Sequence, residues 1–146
     1  MAFGAIKIYP ADKWFSLCIR EAQDFICQRC KRSMPRGCAS LQNSHYHGRA
    51  NKGVRWDLVN CFALCAGCHA YLESQPYEHT EFVKSVIGEI KYQLLLERKT
   101  STNLGKQRNQ ENKAGLIAKH YSKQYRTLLA RRSAGESGIL EFINYV

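Results

Sequence analysis

Residues 60–69 read Asn60-Cys61-Phe62-Ala63-Leu64-Cys65-Ala66-Gly67-Cys68-His69, and the Cys65/Cys68 pair inside them sets how the rest of the chain must fold. A second Cys-x-x-Cys, Cys27/Cys30, stands earlier, with 34 residues between the two pairs. Each pair lets two thiolates converge on one ion from a tight turn, so Cys27, Cys30, Cys65 and Cys68 predict a four-cysteine zinc site. Four thiolates complete a tetrahedron and leave no position for a substrate, so the expected role is structural. In a chain of 146 residues such a metal supplies a large share of the folding free energy. The cysteines total seven, an odd number poorly suited to full disulfide pairing. Cys18 reads as core, and Cys38 and Cys61 as core or spare ligands.

Outward from this stretch, Asn60 to Leu72 reads as a turn entering a helix that begins around Cys65–Gly67. Residues 25–48 read as a two-stranded ribbon carrying the first cysteine pair, the turn-prone Met34-Pro35-Arg36-Gly37 and an extended run that ends at Gly48. Residues 49–59 form a basic loop. Before the ribbon, Trp14, Phe15, Cys18, Ile19 and Ala22 share one face of a helix capped by Asp12 and ending near Asp24. After it, Phe82, Val83, Val86, Ile87, Ile90, Leu94 and Leu95 make an apolar stripe over 80–98, and Leu116, Ile117, His120, Tyr121, Tyr125, Leu128 and Leu129 a second over 112–132. The polar, positive residues 99–110 between them read as an exposed linker or a phosphate-contacting arm. The apolar end, 138–146, is expected to dock on the core or on another subunit.

Charge narrows the partner. Lys and Arg number 22 against 12 Asp and Glu, a formal net charge of +10, which is the electrostatic signature of a protein that meets a phosphate backbone. Apolar content of 45% and the lack of a long apolar run exclude a disordered tail and a membrane span, so no membrane partner is expected. The N-terminal Met1-Ala2-Phe3-Gly4-Ala5-Ile6-Lys7 lacks the pattern of a secretory signal, which predicts a cytoplasmic protein.

His45, Asn60 and His69 occur in that order, with 15 positions from the first to the second, and the Leu64-Cys65-Ala66-Gly67-Cys68-His69 ending follows. Over residues 25–72 this resembles the His-Asn-His (HNH) endonucleases of the ββα-metal superfamily, whose zinc-bearing members carry one Cys-x-x-Cys before the first histidine and another before the last. Ser44-His45-Tyr46-His47-Gly48-Arg49 and Arg55-Trp56-Asp57 add a closer similarity to small zinc-bearing bacteriophage nucleases, including the NinG-like recombination proteins. The resemblance implies an α+β fold: a small ββα-metal core around a structural zinc, embedded among several helices. The length is one domain's worth, 1–146, with an N-terminal helix in 1–24, the zinc core in 25–80 and a helical extension in 81–146.

The activity implied is metal-dependent hydrolysis of DNA phosphodiester bonds, in phage DNA recombination or processing and in a bacterial host cell if the chain is phage-encoded. Carried over, His45 is the general base, Asn60 holds the connecting loop and so orients the histidine, and His69 is a ligand of a catalytic Mg²⁺ or Mn²⁺. Many family members have Asp just before the base, where this chain has Ser44. Either His45 binds the metal and His47 is the base, since residues two apart on a strand share a face, or Asp57 or a water fills the second ligand position. His47 therefore stands as a second candidate ligand of the catalytic metal. Arg49, Lys52 and Arg55 lie between base and asparagine and are expected to contact phosphates of double-stranded or branched DNA. A homodimer or a phage recombination protein is the expected protein partner.

Structural roles weigh against some of these residues. His79 and His120 read as core or surface residues, and Trp56 as core packing or a support for the loop. Two other functions fit the composition. One is a non-catalytic zinc-stabilised module that binds nucleic acid, which Ser44 favours. The other is an RNA-binding zinc ribbon, for which Tyr46 alone offers a stacking surface.

Overall fold

A computed structural model describes residues 6–146; the reading of Met1–Ala5 as lacking an export signal lies outside them. Pro10 opens α1 (Pro10–Ala22) at the position where a missing N–H costs nothing. Asp12 is not the cap. It sits in the first turn, and its carboxylate accepts the N–H of Tyr9, the residue that does cap the helix, at 2.7 Å. The apolar face buries Ala11, Phe15, Cys18, Ile19 and Ala22. It lies against α6 (Leu116–Ser133), where the rings of Phe15 and Tyr121 are 4.8 Å apart and the Cys18 thiol donates to the Tyr121 carbonyl at 3.3 Å.

The ribbon is not where the sequence suggested. Residues 25–34 form a knuckle closed by one bridge between Ile26 and Ser33. The sheet proper pairs β1 (Leu41–His45) antiparallel with β2 (Cys61–Cys65), Leu41 opposite Cys65 and His45 opposite Cys61. All five residues of β2 are buried, so they show no inside-outside alternation, and a short apolar run of that kind cannot be told from the approach to a helix. A single 3₁₀ turn, Leu58–Asn60, ends the long connection between the strands. Then α2 (Ala66–Ser74) starts directly from β2, at the position expected.

The stripe over 80–98 belongs to two helices, α3 (Pro76–Ile87) and α4 (Glu89–Thr100). Gly88, at φ +84°, ends one and starts the other, in a region of backbone space that other residues enter only with strain. The break turns part of the stripe outward: Val83 and Leu95 are buried, whereas Ile90 is 79% exposed. Residues 99–110 are not a linker. They belong largely to α5 (Thr102–Lys113), whose Ser101 cap accepts the Leu104 N–H at 3.2 Å. The apolar tail docks on its own chain: Leu140 N–H donates to the Ala22 carbonyl at 2.8 Å, and His120 Nε2 donates to the Ile143 carbonyl at 2.7 Å. The fold is thus mixed α+β, and no described helix is long and apolar enough to cross a membrane.

Candidate functional site

Three elements bring the four paired cysteines together. Cys27 and Cys30 come from the knuckle, Cys65 from the last position of β2 and Cys68 from the first turn of α2. Their sulfurs all lie within 4.8 Å of one another, and the Cys30 and Cys65 sulfurs are 3.9 Å apart. Zn–S bonds of ~2.3 Å in a tetrahedron place sulfurs about 3.8 Å apart, so the cluster fits one zinc ion. Left to themselves the thiols are unequal. Burial pushes Cys68 up to about 12, while the Arg32 backbone N–H and the neighbouring thiols pull Cys30 down to about 6. Sulfurs this close cannot all be thiolates without a shared cation, which is the chemistry of a structural metal site. Arg29 adds a positive charge outside it, its guanidinium 3.5 Å from the Cys68 sulfur. Cys18, Cys38 and Cys61 are not in the cluster.

The residue after Cys68 is His69, and the cysteines therefore fix where its imidazole begins. His69 Nδ1 is 2.7 Å from Oε1 of Gln42 on β1, and Nε2 is 2.9 Å from Oε1 of Glu73, one turn further along α2. With the amide oxygen as acceptor, Nδ1 carries the proton. The Nε2 lone pair then faces a carboxylate, which requires a proton or a metal cation between them.

His45, at the end of β1, lines the same cleft of 450 Å³ as His69 and Glu73, together with Asp12, Lys13, Asn43 and Arg49. Its Nε2 is 2.8 Å from the Arg55 carbonyl. A carbonyl can only accept, so Nε2 carries the hydrogen and Nδ1 the basic lone pair. Burial lowers the pKa of His45, with the nearby Arg49 charge acting in the same direction, so the ring is neutral near pH 7.

Asn60 is fully buried and spans the loop that begins just after His45 and carries His47. Its Oδ1 accepts the His47 N–H at 2.8 Å, and its Nδ2 donates to the carbonyls of His47 and Val54 at 2.9 and 3.1 Å. One side chain thus closes both ends of the connection.

His47 lies elsewhere. The strand ends at His45, so the two histidines do not share a face, and the His47 ring packs 4.7 Å from that of Tyr46. Burial, with help from Lys99 and His79, pushes its pKa down to about 4. Asp57 is likewise committed elsewhere, accepting from Arg98 Nε at 2.7 Å and from the Val59 N–H at 3.0 Å. Ser44 is buried on the opposite side of the strand from Asn43 and His45, with its hydroxyl unpartnered.

Of the three basic residues expected on the surface, Arg49 faces the cleft and Lys52 donates to Asn109 Oδ1 at 2.8 Å. Arg55 is the correction. Its side chain is 2% exposed and forks onto Asp12, Nε to Oδ1 at 2.9 Å and Nη2 to Oδ2 at 2.8 Å, and also donates to the Lys7 and Arg49 carbonyls. Trp56 Nε1 donates to the same carboxylate at 3.0 Å. Asp12 is therefore the anchor of the basic loop, and Arg55 holds that loop to α1 instead of meeting a phosphate.

Sequence reading missed Glu73 and Gln42. Glu73 had a signal, its position four residues after His69 on a helix already expected. Gln42 had none, because its partner depends on how the strand lies against α2. Compared with known proteins, the chain matches no family model, no curated protein and no solved structure.

Proposed function

We propose that the chain is a metal-dependent nuclease of the HNH type, with β1, β2 and α2 as its ββα-metal core and DNA as its substrate. The observation that carries this reading is the His45 imidazole in the cleft, with Nε2 committed to the Arg55 carbonyl and Nδ1 left basic, beside the His69–Glu73 pair of α2. Nδ1 takes a proton from a water molecule as that water's oxygen bonds to phosphorus. The bond from phosphorus to the 3′ oxygen breaks, and the departing oxygen takes up a proton from solvent. General-base help of this kind is worth ~10²–10⁴ in rate.

His69 Nε2 and Glu73 Oε1 are the groups that would hold a catalytic cation, and their 2.9 Å separation is close to the ~3.0 Å between adjacent ligands of an octahedral Mg²⁺ shell. Mg²⁺ or Mn²⁺ bound there would neutralise charge on the scissile phosphate and the leaving oxygen. Glu73 supplies from α2 the carboxylate that Ser44 does not supply from β1. Arg49 and Lys13, at the rim of the cleft, suit the flanking phosphates.

The test is cleavage of labelled linear, branched and flapped DNA with Mg²⁺ or Mn²⁺. His45→Ala should lose ~10²-fold or more in rate at unchanged zinc content, and raised Mn²⁺ should not restore it. His69→Ala and Glu73→Ala should regain activity as Mn²⁺ rises. Full activity in His45→Ala and His69→Ala would defeat the reading. A second reading, a non-catalytic zinc module that binds DNA, is favoured by the buried, turned-away Ser44, and DNA binding without cleavage by the wild type would establish it.

A further inference from the structure

Beyond the cleft, the turn at residues 48–53 leads to a second basin, of 370 Å³, formed by that turn and the corner between α4 and α5. Lys52, Lys99 and Lys106 all line it, and no Asp or Glu does. This differs from the His45 cleft, where Asp12 and Glu73 balance Lys13 and Arg49. Lys99 and Lys106 enter no ion pair among the described residues. Lys52 spends one hydrogen on Asn109 and keeps its charge. Asn51, Thr100 and Thr102 are among its other lining residues.

The basin is built, not incidental. Gly53 packs so tightly on the corner that a Cβ there would come within 2.9 Å of the Arg98 carbonyl oxygen, and Gly105 faces the Gly53 backbone from the other side. The turn carrying Lys52 is therefore fixed against the helices carrying Lys99 and Lys106. Three lysines around a hollow without carboxylates give it a positive potential that favours a polyanion. Among the described residues no aromatic side chain lines the basin, so it offers no platform for stacking an unpaired base and suits the outside of a duplex.

Resting on the nuclease reading above, we propose that Lys52, Lys99 and Lys106 form a second seat for the phosphate backbone of duplex DNA, separate from the His45 cleft and joined to it by the turn at 48–53. The protein then grips the duplex at two places, and only one of them is where hydrolysis occurs.

The test is fluorescence anisotropy with a short labelled DNA duplex and zinc-loaded full-length protein, without added Mg²⁺ or Mn²⁺, over a range of salt. Each phosphate contact adds ~0.9 to the slope of log affinity against log salt, so Lys99→Ala/Lys106→Ala should lower that slope by about 1.8 and weaken binding at low salt by about tenfold or more. The charge-matched control Lys119→Ala/Lys123→Ala, on the exposed side of α6, should change the slope by less than half as much. An unchanged slope in the first variant, an equal loss in the control, or no salt-dependent binding by the wild type would overturn the proposal. Cleavage is read separately: a wild type that fails to cut but shows the slope change loses the nuclease reading and keeps the seat.

Discussion

Arg49 and Arg55 show how position decides what the same side chain does. Arg55 is buried against Asp12, and removing one partner of a buried ion pair leaves the other charge stranded, at a cost of ~3–5 kcal/mol. Asp12 would keep the Tyr9 and Trp56 N–H groups, so Arg55→Ala should lie near the lower end, about 3 kcal/mol in urea denaturation. Arg49→Ala should stay within about 0.5 kcal/mol of wild type and weaken DNA binding instead. The histidines give a second prediction. Unfolded imidazoles take up a proton near ~6.5, but burial lowers His45 and His79, and His47 is lowered to about 4. Below ~6.5 the unfolded chain therefore binds more protons than the folded one, so stability is complete above that pH and is lost as pH falls toward about 4. Melting temperature should drop between neutral pH and about pH 5, and on the nuclease reading the acid limb of cleavage should lie below ~6.5 because His45, the proposed base, stays neutral there.

At the level of elements, α2 depends on the cysteine cluster more than on its own packing, because only Cys68 and Leu72 of its nine residues are buried. Cys68→Ser should therefore release zinc, lower the melting temperature and loosen the first turn that carries His69. Cys18→Ser, a change within the α1–α6 contact, should keep zinc and melt closer to wild type; elemental analysis beside thermal denaturation checks both. The start of α2 was legible because Cys-x-x-Cys spacing marks it, and the buried face of α1 because its apolar residues recur at three and four. Strand β2 was not, since burial on both faces erases alternation. Helix α5 was not either. It buries only Asn112, so it has no apolar stripe to announce it, and its polar residues read as a linker. The long stripe across α3 and α4 misled in the opposite way: the periodicity runs on through Gly88, but the helix does not.

For the whole molecule, what local patterns cannot show is which distant side chains meet. That the tail would dock was legible from its apolar residues. That Asn144 would reach the loop beside the site was not, because the contact joins residues 86 positions apart. Asn144 Oδ1 accepts the Leu58 N–H at 3.0 Å and the Tyr121 hydroxyl at 2.9 Å, while its Nδ2 donates to Asp57 Oδ1 at 3.3 Å. Tyr121 Oη has one hydrogen, shared between that amide oxygen and the Trp56 carbonyl 2.6 Å away, and it accepts the Tyr145 N–H at 3.0 Å. The tail, α6 and the 3₁₀ turn that ends in Asn60 thus share one hydrogen-bond network, and Asn60 in turn holds the loop from His47 to Val54 that follows His45. Removing the Asn144 amide strands the Leu58 N–H, while Tyr121 keeps its hydrogen on the Trp56 carbonyl, so Asn144→Ala should cost ~1–3 kcal/mol although the residue lies outside the cleft. The loss should have a direction. Amide hydrogen exchange should speed up in residues 54–60 and at His47, whose N–H depends on Asn60, while the β1–β2 pairs next to the cysteine cluster keep their protection and zinc content is unchanged. Exchange that rises equally across the sheet and α1 would mean that Asn144 supports the fold at large and not the loop that positions His45.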